Sequence, residues 1–450
     1  MRRTIVLALA FAAAACVDQP TGPTAPDAPS LAVARAPADA NGPADANATG
    51  EVTPISFVVS PARSLGYTET DDFWRYPNRP EPDVGGDRVV WRFMANPYFG
   101  SVDVLQARLS TGGPTRLAQL STYAGPRTSG RYTTWQDGLD GIAVLDNTTG
   151  RRQRVAGRRR PYAAWADVAG DRMAFPDIGA REVVLYDLAT GARTTVASYV
   201  GSLRGLAFDG RYIAWIEDAG GTGLVVYDTR TGETRQAVPP APRAITGVSA
   251  DRGRVVFGME AGDRQSIFLY DVASGQTRRL SSARGKQAYP EISGDLVVWD
   301  DTRNETNPYY VYDHDVYLYD LATGTETALA GGPTWSGDPQ IDGSHVVWTE
   351  WRNNRWEVLA VEVAPPTVAG LRSELKRMAE TGAVRNAGTA RSLDVFLAQA
   401  AAAQSAGNRA RAVERLRQFS AQVAQHAGRL IEASAAERLR GIAAGVIARM

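Results

Sequence analysis

Residues 313–327 read DHDVYLYDLATGTET, and much the same phrase occurs earlier as EVVLYDLATGART (182–194) and SIFLYDVASGQTR (266–278). Each is a short apolar strand that ends on Asp, then a Gly-containing turn, then a polar strand rich in Thr and Arg. The Asp carboxylate can hydrogen-bond the backbone of a tight turn, and Gly supplies the positive φ the turn needs. The turns recur as TGG (111–113), TTG (148–150), ATG (189–191), RTG (230–232), ASG (273–275) and ATG (322–324). Asp146, Asp187, Asp228, Asp271 and Asp320 close five of the six strands that lead into them.

A second signal keeps step with the first. An apolar strand ends in a large aromatic at Trp91, Trp135, Phe175, Trp215, Phe257, Trp299 and Trp348, at intervals of 44, 40, 40, 42, 42 and 49 residues. Each unit of about 42 residues holds roughly four short strands, which is the period of a β-propeller blade. Strands such as VVW and IAW are apolar on both faces, as a blade between two neighbours requires. The expectation is an all-β, seven-bladed β-propeller, with six blades as the alternative, followed by a small helical bundle. The seventh unit lacks an outer strand, since Pro365-Pro366 ends it after WEVLAVEV (356–363). The segment EVTPISFVV (51–59) belongs to no other unit and is expected to complete that blade and remove its open edge.

The phrase GDxVVWxDxRN…DVYLYDLATGxET, carried best by residues 294–327, resembles the TolB-like propeller repeats of bacterial envelope proteins. The resemblance covers residues 80 to 363 and implies a fold, not an activity, because one fold hosts many functions.

From Val368 the pattern becomes helical. Leu371, Leu375 and Met378 share one face, and further helices carry Leu393, Phe396 and Leu397, then Val413, Leu416 and Phe419, then Leu439, Ile442 and Val446. Ser434 and Glu437 have the spacing of a capping box for the fourth helix. The text LRSELKRMAETGAV … GNRARAVERLRQF resembles the FIMAH domain, a helical module at the C-terminal ends of exported bacterial proteins. That resemblance implies an extracytoplasmic interaction or spacer module without defined chemistry.

The chain opens MRRTIVLALAFAAAAC, two arginines and a short apolar run before the only cysteine. This is an export signal, too short to span a bilayer by itself. Small residues directly before Cys16 resemble a bacterial lipoprotein lipobox, although Ala13 stands where that pattern usually has Leu. The organisation expected is a lipoprotein-type signal over 1–16 with lipid on Cys16, a disordered Ala/Pro/Asp-rich tether over 17–50, a propeller over 51–365 and a FIMAH-like bundle over 367–450. Charge is balanced, 49 basic against 49 acidic residues, which argues against a nucleic-acid partner.

Catalytic signatures are scarce. There are three histidines, His314, His345 and His426, and no G-x-S-x-G elbow, H-E-x-x-H helix or P-loop. The expectation is a non-enzymatic protein without cofactors. Asp300, Asp301, Asp313 and Asp315 could offer oxygens to a hard cation, but Asp301 and Arg303 read better as a hairpin ion pair, leaving Asp301, Asp313 and Asp315 as weak metal candidates. Exceptions to the repeat point to a binding face. Long connections at 68–80, 94–101, 301–315 and 349–356 belong on one face of a closed ring, in the sector of blades six, seven and one. They carry Phe73, Trp74, Tyr76, Tyr98, Phe99, Tyr309, Tyr310, Tyr312, Trp351 and Trp356, the amphipathic aromatics typical of recognition surfaces. The function expected is an exported, lipid-anchored envelope protein whose propeller is a protein-interaction scaffold. A glycan-binding module of the cell surface is the alternative, and an enzyme acting on carbohydrate the third reading.

Overall fold

The computed structural model describes residues 58–59, 62–68, 79–93, 102–110, 112–120, 125–139, 141–156, 166–262, 264–305, 314–332, 335–353 and 355–450. Seven antiparallel sheets follow one another in chain order. Their inner strands begin at Asp83, Arg127, Asp167, Ser202, Ile245, Gln287 and Ser336. The inner strands of all neighbouring blades touch, including the seventh against the first, so the ring is closed. The architecture is the seven-bladed propeller that the repeat predicts.

Closure comes from the N-terminal part of the chain. Val58–Val59 and Arg63–Thr68 both pair antiparallel with the strand Arg355–Ala364 of blade seven. Most of that pairing lies downstream of the expected 51–59 segment, whose residues 51–57 are outside the described set. The shift has a local reason. Gly66 sits where a Cβ would come within 2.7 Å of the Trp91 ring, so only a glycine lets the closing strand lie against blade one.

The repeated residues act alike in each blade. The anchors Trp91, Phe175, Phe257, Trp299 and Trp348 are fully buried, and at about 25 cal/mol per Å² each contributes roughly 4–6 kcal/mol of transfer free energy. In three blades the indole N–H donates to an acid two residues on: Trp299 to Asp301 at 2.8 Å, Trp348 to Glu350 at 3.0 Å and Trp215 to Glu217 at 3.4 Å. The outer turns are built as read. Asp187 accepts from the N–H groups of Ala189 and Thr190 at 3.0 and 2.7 Å, and Gly191 follows at φ 76°. A second series joins neighbouring blades. Asp209 accepts from Gly253 N at 2.7 Å, Asp251 from Gly294 N at 2.7 Å, Ser293 from Gly343 N at 2.9 Å and Asp342 from Gly86 N at 2.6 Å.

After the ring come four helices, α1 (Val368–Glu380), α2 (Ala387–Ser405), α3 (Arg409–His426) and α4 (Ala433–Ala448). They enclose a core of their own that includes Leu371, Leu397, Leu416, Phe419 and Ile442. Thr367, Asn386 and Asn408 cap the first three through their side chains. The expected capping box at Ser434 does not form, because α4 already starts at Ala433, after Glu432, with no side-chain cap. Buried Ile431 fixes that start: it bridges to Val384, and Glu432 N–H donates to Ala383 O at 2.9 Å. Among the described residues no helix is long and apolar enough to cross a membrane.

Candidate functional site

Eight residues before each anchor, the inner strands carry Asp83, Arg127, Asp167, Ala207, Ser249, Glu291 and Gln340. The polar members meet along the ring axis. Arg127 reaches Gln340 at 3.4 Å and Asp83 at 4.0 Å, and Gln340 donates to Glu291 at 3.2 Å. Asp83 is nearly buried, 12 % exposed at its side chain, while the channel keeps Arg127 37 % exposed. Burial pushes the Glu291 carboxyl up to about 7, against the pull of Arg127 and a hydrogen bond from Ser249. It pushes Asp83 up to about 6, opposed by Arg127 and by the Thr128 N–H that Asp83 accepts at 2.6 Å. Desolvation disfavours the charged form of both carboxyls, and one arginine shared among several acids does not restore it.

Two residues further towards the channel mouth the backbone is strained. Glu81, Tyr289 and Asp338 have φ of 45°, 51° and 53°, in the left-handed region that non-glycine residues rarely enter. They occupy the same place in the repeat, ten residues before the anchor, and they belong to blades one, six and seven, which are neighbours. Each precedes a proline, in EPD (81–83), YPE (289–291) and DPQ (338–340). In blades six and seven they form bulges in the inner strand, a device that re-aims side chains. Tyr289 is 56 % exposed. Strain of this kind, about 1–3 kcal/mol per residue, gathers at functional sites.

The same sector holds a row of rings. Trp335 meets Trp356 edge to face with centroids 5.1 Å apart, and Trp356 meets Trp351 likewise at 5.1 Å. His314 lies tilted against Trp335 at 5.4 Å, and the Arg79 guanidinium covers the Trp335 ring at 4.8 Å. Polar groups lock the row in place. His314 Nδ1 is 2.9 Å from Asp300 Oδ1, Arg79 pairs with Asp338 at 3.3 Å, and Arg92 pairs with Glu81 at 2.5 Å. Burial works against protonation of His314, and the Asp300 carboxylate more than offsets it and holds the imidazole above its ordinary value. Burial raises Asp300 as well. His314 Nε2 is buried with no hydrogen-bond partner among the described residues. An imidazole oriented by a carboxylate, with its second nitrogen uncommitted, can move a proton to or from a ligand.

The structure thus brings together the ends of three connections that the sequence assigns to one face: Arg79 of the lead-in, His314 of blade six, and Trp351 and Trp356 of blade seven. Trp351 is half-buried, but Trp356 is only 3 % exposed and does not belong to a surface patch. The two are cross-strand neighbours in a hairpin, and Trp356 sits beneath as the support. Phe73, Trp74, Tyr76, Tyr98, Phe99, Tyr309, Tyr310, Tyr312 and Asp313 lie outside the described residues, as does Cys16. Asp301 and Asp315 are engaged in hydrogen bonds. Asp301 accepts from Trp299, from Arg303 N–H and from the Arg303 guanidinium, and Asp315 accepts from Asn304 at 2.7 Å. No acid-and-histidine group among the described residues is arranged to hold a metal ion. Sequence reasoning missed Glu81, Tyr289, Asp338 and the channel charges, although proline two residues before the inner-strand valine or isoleucine marks them.

Comparison with known proteins bears on both halves. Residues 368–448 match the FIMAH domain family, and no curated protein matches the chain. Among solved structures, a puromycin-hydrolyzing peptidase of Mycobacterium tuberculosis aligns with a TM-score of 0.50 and 16 % identity over 64 % of this chain and 52 % of its own. The chain therefore spans about half the length of that peptidase. An oligogalacturonate lyase in complex with manganese aligns at 0.49 with 13 % identity, over 70 % of this chain and 98 % of the lyase. TolB of Acinetobacter baumannii aligns at 0.38 with 14 % identity, over 62 % and 81 %. At such identities the likeness is one of fold. It corrects the expectation of a non-enzymatic protein: a peptidase shares this fold, so a ring of blades is no ground for excluding catalysis. The chain is a seven-bladed β-propeller followed by a helical region that matches the FIMAH domain family over residues 368–448.

Proposed function

We propose that this protein is exported, is held at a membrane by lipid on Cys16, and binds a protein of the cell envelope at the channel mouth of blades six, seven and one. One observation carries the reading. Three left-handed, non-glycine residues at one repeat position fall in three consecutive blades, beside the only described row of packed tryptophans. A supported aromatic rim with fixed charges is the usual anatomy of a recognition site.

A cell-surface glycan is the second reading. Trp351, braced edge-on by Trp356, is a ring that a sugar could stack on. The His314–Asp300 pair beside it is suited to proton transfer, the chemistry that turnover of a bound glycan needs.

The test is affinity capture from envelope extract by the full chain in detergent, beside Trp351→Ala and Tyr289→Ala variants. Bound protein, bound polysaccharide and shortened glycan are measured in the same eluates. A protein retained by the parent and lost by both folded variants supports the first reading. Polysaccharide lost in the same way supports the second. Equal retention by parent and variants removes the mouth as the site. Membrane retention is tested separately: a Cys16→Ala chain is expected in the soluble fraction, and its persistence in membranes would overturn the anchor.

A further inference from the structure

In blades two to five the outer turn places a carboxylate where an arginine from the start of the second strand can meet it. In blade four Arg211 pairs with Asp228 at 2.7 Å, and in blade two Arg131 lies 3.6 Å from Asp146. In blades three and five the arginine stands directly across the ladder, Arg172 opposite Asp187 and Arg254 opposite Asp271. Blade six breaks the rule. Asp295 and Leu296 occupy those two places, and Leu296 is the residue opposite Asp320. Asp320 is nonetheless the most buried of the five turn acids, its side chain only 1 % exposed. The Ala322 N–H and the Thr323 hydroxyl donate to it at 2.9 and 2.7 Å.

The missing cation comes from the other domain. The guanidinium of Arg449, the residue that caps the C-terminal end of α4, donates to Asp320 Oδ2. We infer that the FIMAH domain docks on the propeller by putting Arg449 into the arginine slot that blade six leaves empty. A buried carboxylate stripped of its cation is strongly unfavourable, so the slot selects for an occupant.

Chain direction agrees with this placement. Alternating strands put the outer turns on the face opposite the channel mouth. The last strand of blade seven runs towards that same face and ends at Ala364, next to blade six in the ring. Four residues later, after Pro365-Pro366, α1 begins at Val368. So short and stiff a connection holds the helices on the turn side. The C-terminal domain is thus placed on the turn side, away from the mouth.

Amide hydrogen exchange on the full chain tests the inference. Arg449→Ala is expected to raise exchange of the turn 321–324 roughly fivefold or more, the effect of losing about 1 kcal/mol of local protection. Arg211→Ala, the in-blade counterpart, should do the same at 229–232 and leave 321–324 unchanged. Asp320→Asn is expected to loosen the last turn of α4 from the other side. If Arg449→Ala leaves 321–324 as in the parent while Arg211→Ala loosens its own turn, the docking is wrong. Since the Arg449 side chain is part-exposed and belongs to neither core, its removal tests the contact without risking either.

Discussion

Asp342 in blade seven accepts the backbone N–H of Gly86 in blade one at 2.6 Å. It repeats, across the seam of the ring, the bond that Asp251 makes to Gly294 between blades five and six. The seam is therefore fastened twice, by this bond and by the strand that the N-terminal segment adds to blade seven.

Weakening the seam should cost what the contacts suggest. Asp342→Ala is expected to lower stability by about 1 kcal/mol, the net worth of one hydrogen bond at an exposed site. Gly66→Val should cost more, about 2 kcal/mol, because its Cβ would begin 2.7 Å from the Trp91 ring and force either strand or ring to move. Urea unfolding midpoints rank the two, and a Gly66→Val protein as stable as the parent would mean that the closing strand does not lie on Trp91.

The channel should make stability fall with rising pH. Glu291 titrates near 7 in the folded chain against 4.5 when unexcluded from water. The native state thus binds more protons between those values. Its contribution is complete below about 4.5 and is lost as pH rises through 7. Glu291→Gln keeps a partner for Gln340 and Ser249 but cannot ionise. Its melting temperature, measured from pH 4.5 to 8, should decline less steeply than that of the parent. Parallel profiles would show that Glu291 is solvated well enough to titrate normally.

The Asp301 side chain, 0 % exposed, ties Trp299 to Arg303, which is itself 8 % exposed and also paired with Glu326. Asp301→Ala leaves an indole N–H without its acceptor and a buried guanidinium with half its counter-charge. A loss of about 3 kcal/mol is expected, visible as a drop in the propeller melting transition. A change under about 1 kcal/mol would show that water replaces the carboxylate.

In the helical domain the dependence has the opposite sign. Burial would raise the Glu374 carboxyl, but Arg377 at 2.8 Å and Arg438 at 2.5 Å more than offset it and hold it at about 2. Its stabilisation, up to about 3 kcal/mol, is present above 4.5 and vanishes as pH falls towards 2. Helical circular dichroism of Glu374→Gln should be less stable than the parent at pH 7 and equal to it near pH 2. A constant gap across that range would point to packing instead of charge.

The fold was legible because its signals are local and recur. The Asp-to-Gly turn and the buried aromatic each make their contacts within a few residues, so the period survives in the text. The candidate site was legible only as a sector. That loops of blades six, seven and one meet follows from counting blades, and Arg79, His314 and Trp351 meet as the count requires. Which side chains face outwards does not follow, since Trp351 and Trp356 look alike in sequence yet one roofs the other. The strained residues Glu81, Tyr289 and Asp338 were harder still, because left-handed backbone at a non-glycine position is imposed by neighbouring blades and leaves only a following proline as its mark. Arg449 had no signal at all, as its meaning lies in an arginine that blade six does not have.

The closing strand also sets an order of events. Tyr67 pairs with Glu357, so the two edges of the last blade are separated by about 290 residues of chain. The strand made first has no partner until almost the whole ring has been made. Contacts of such sequence separation are slow to form. Until the two strands meet, the edge of Arg355–Ala364 is open to any other extended segment. On the export proposed above, the chain would deliver that strand first and keep it unpaired until the last blade arrives.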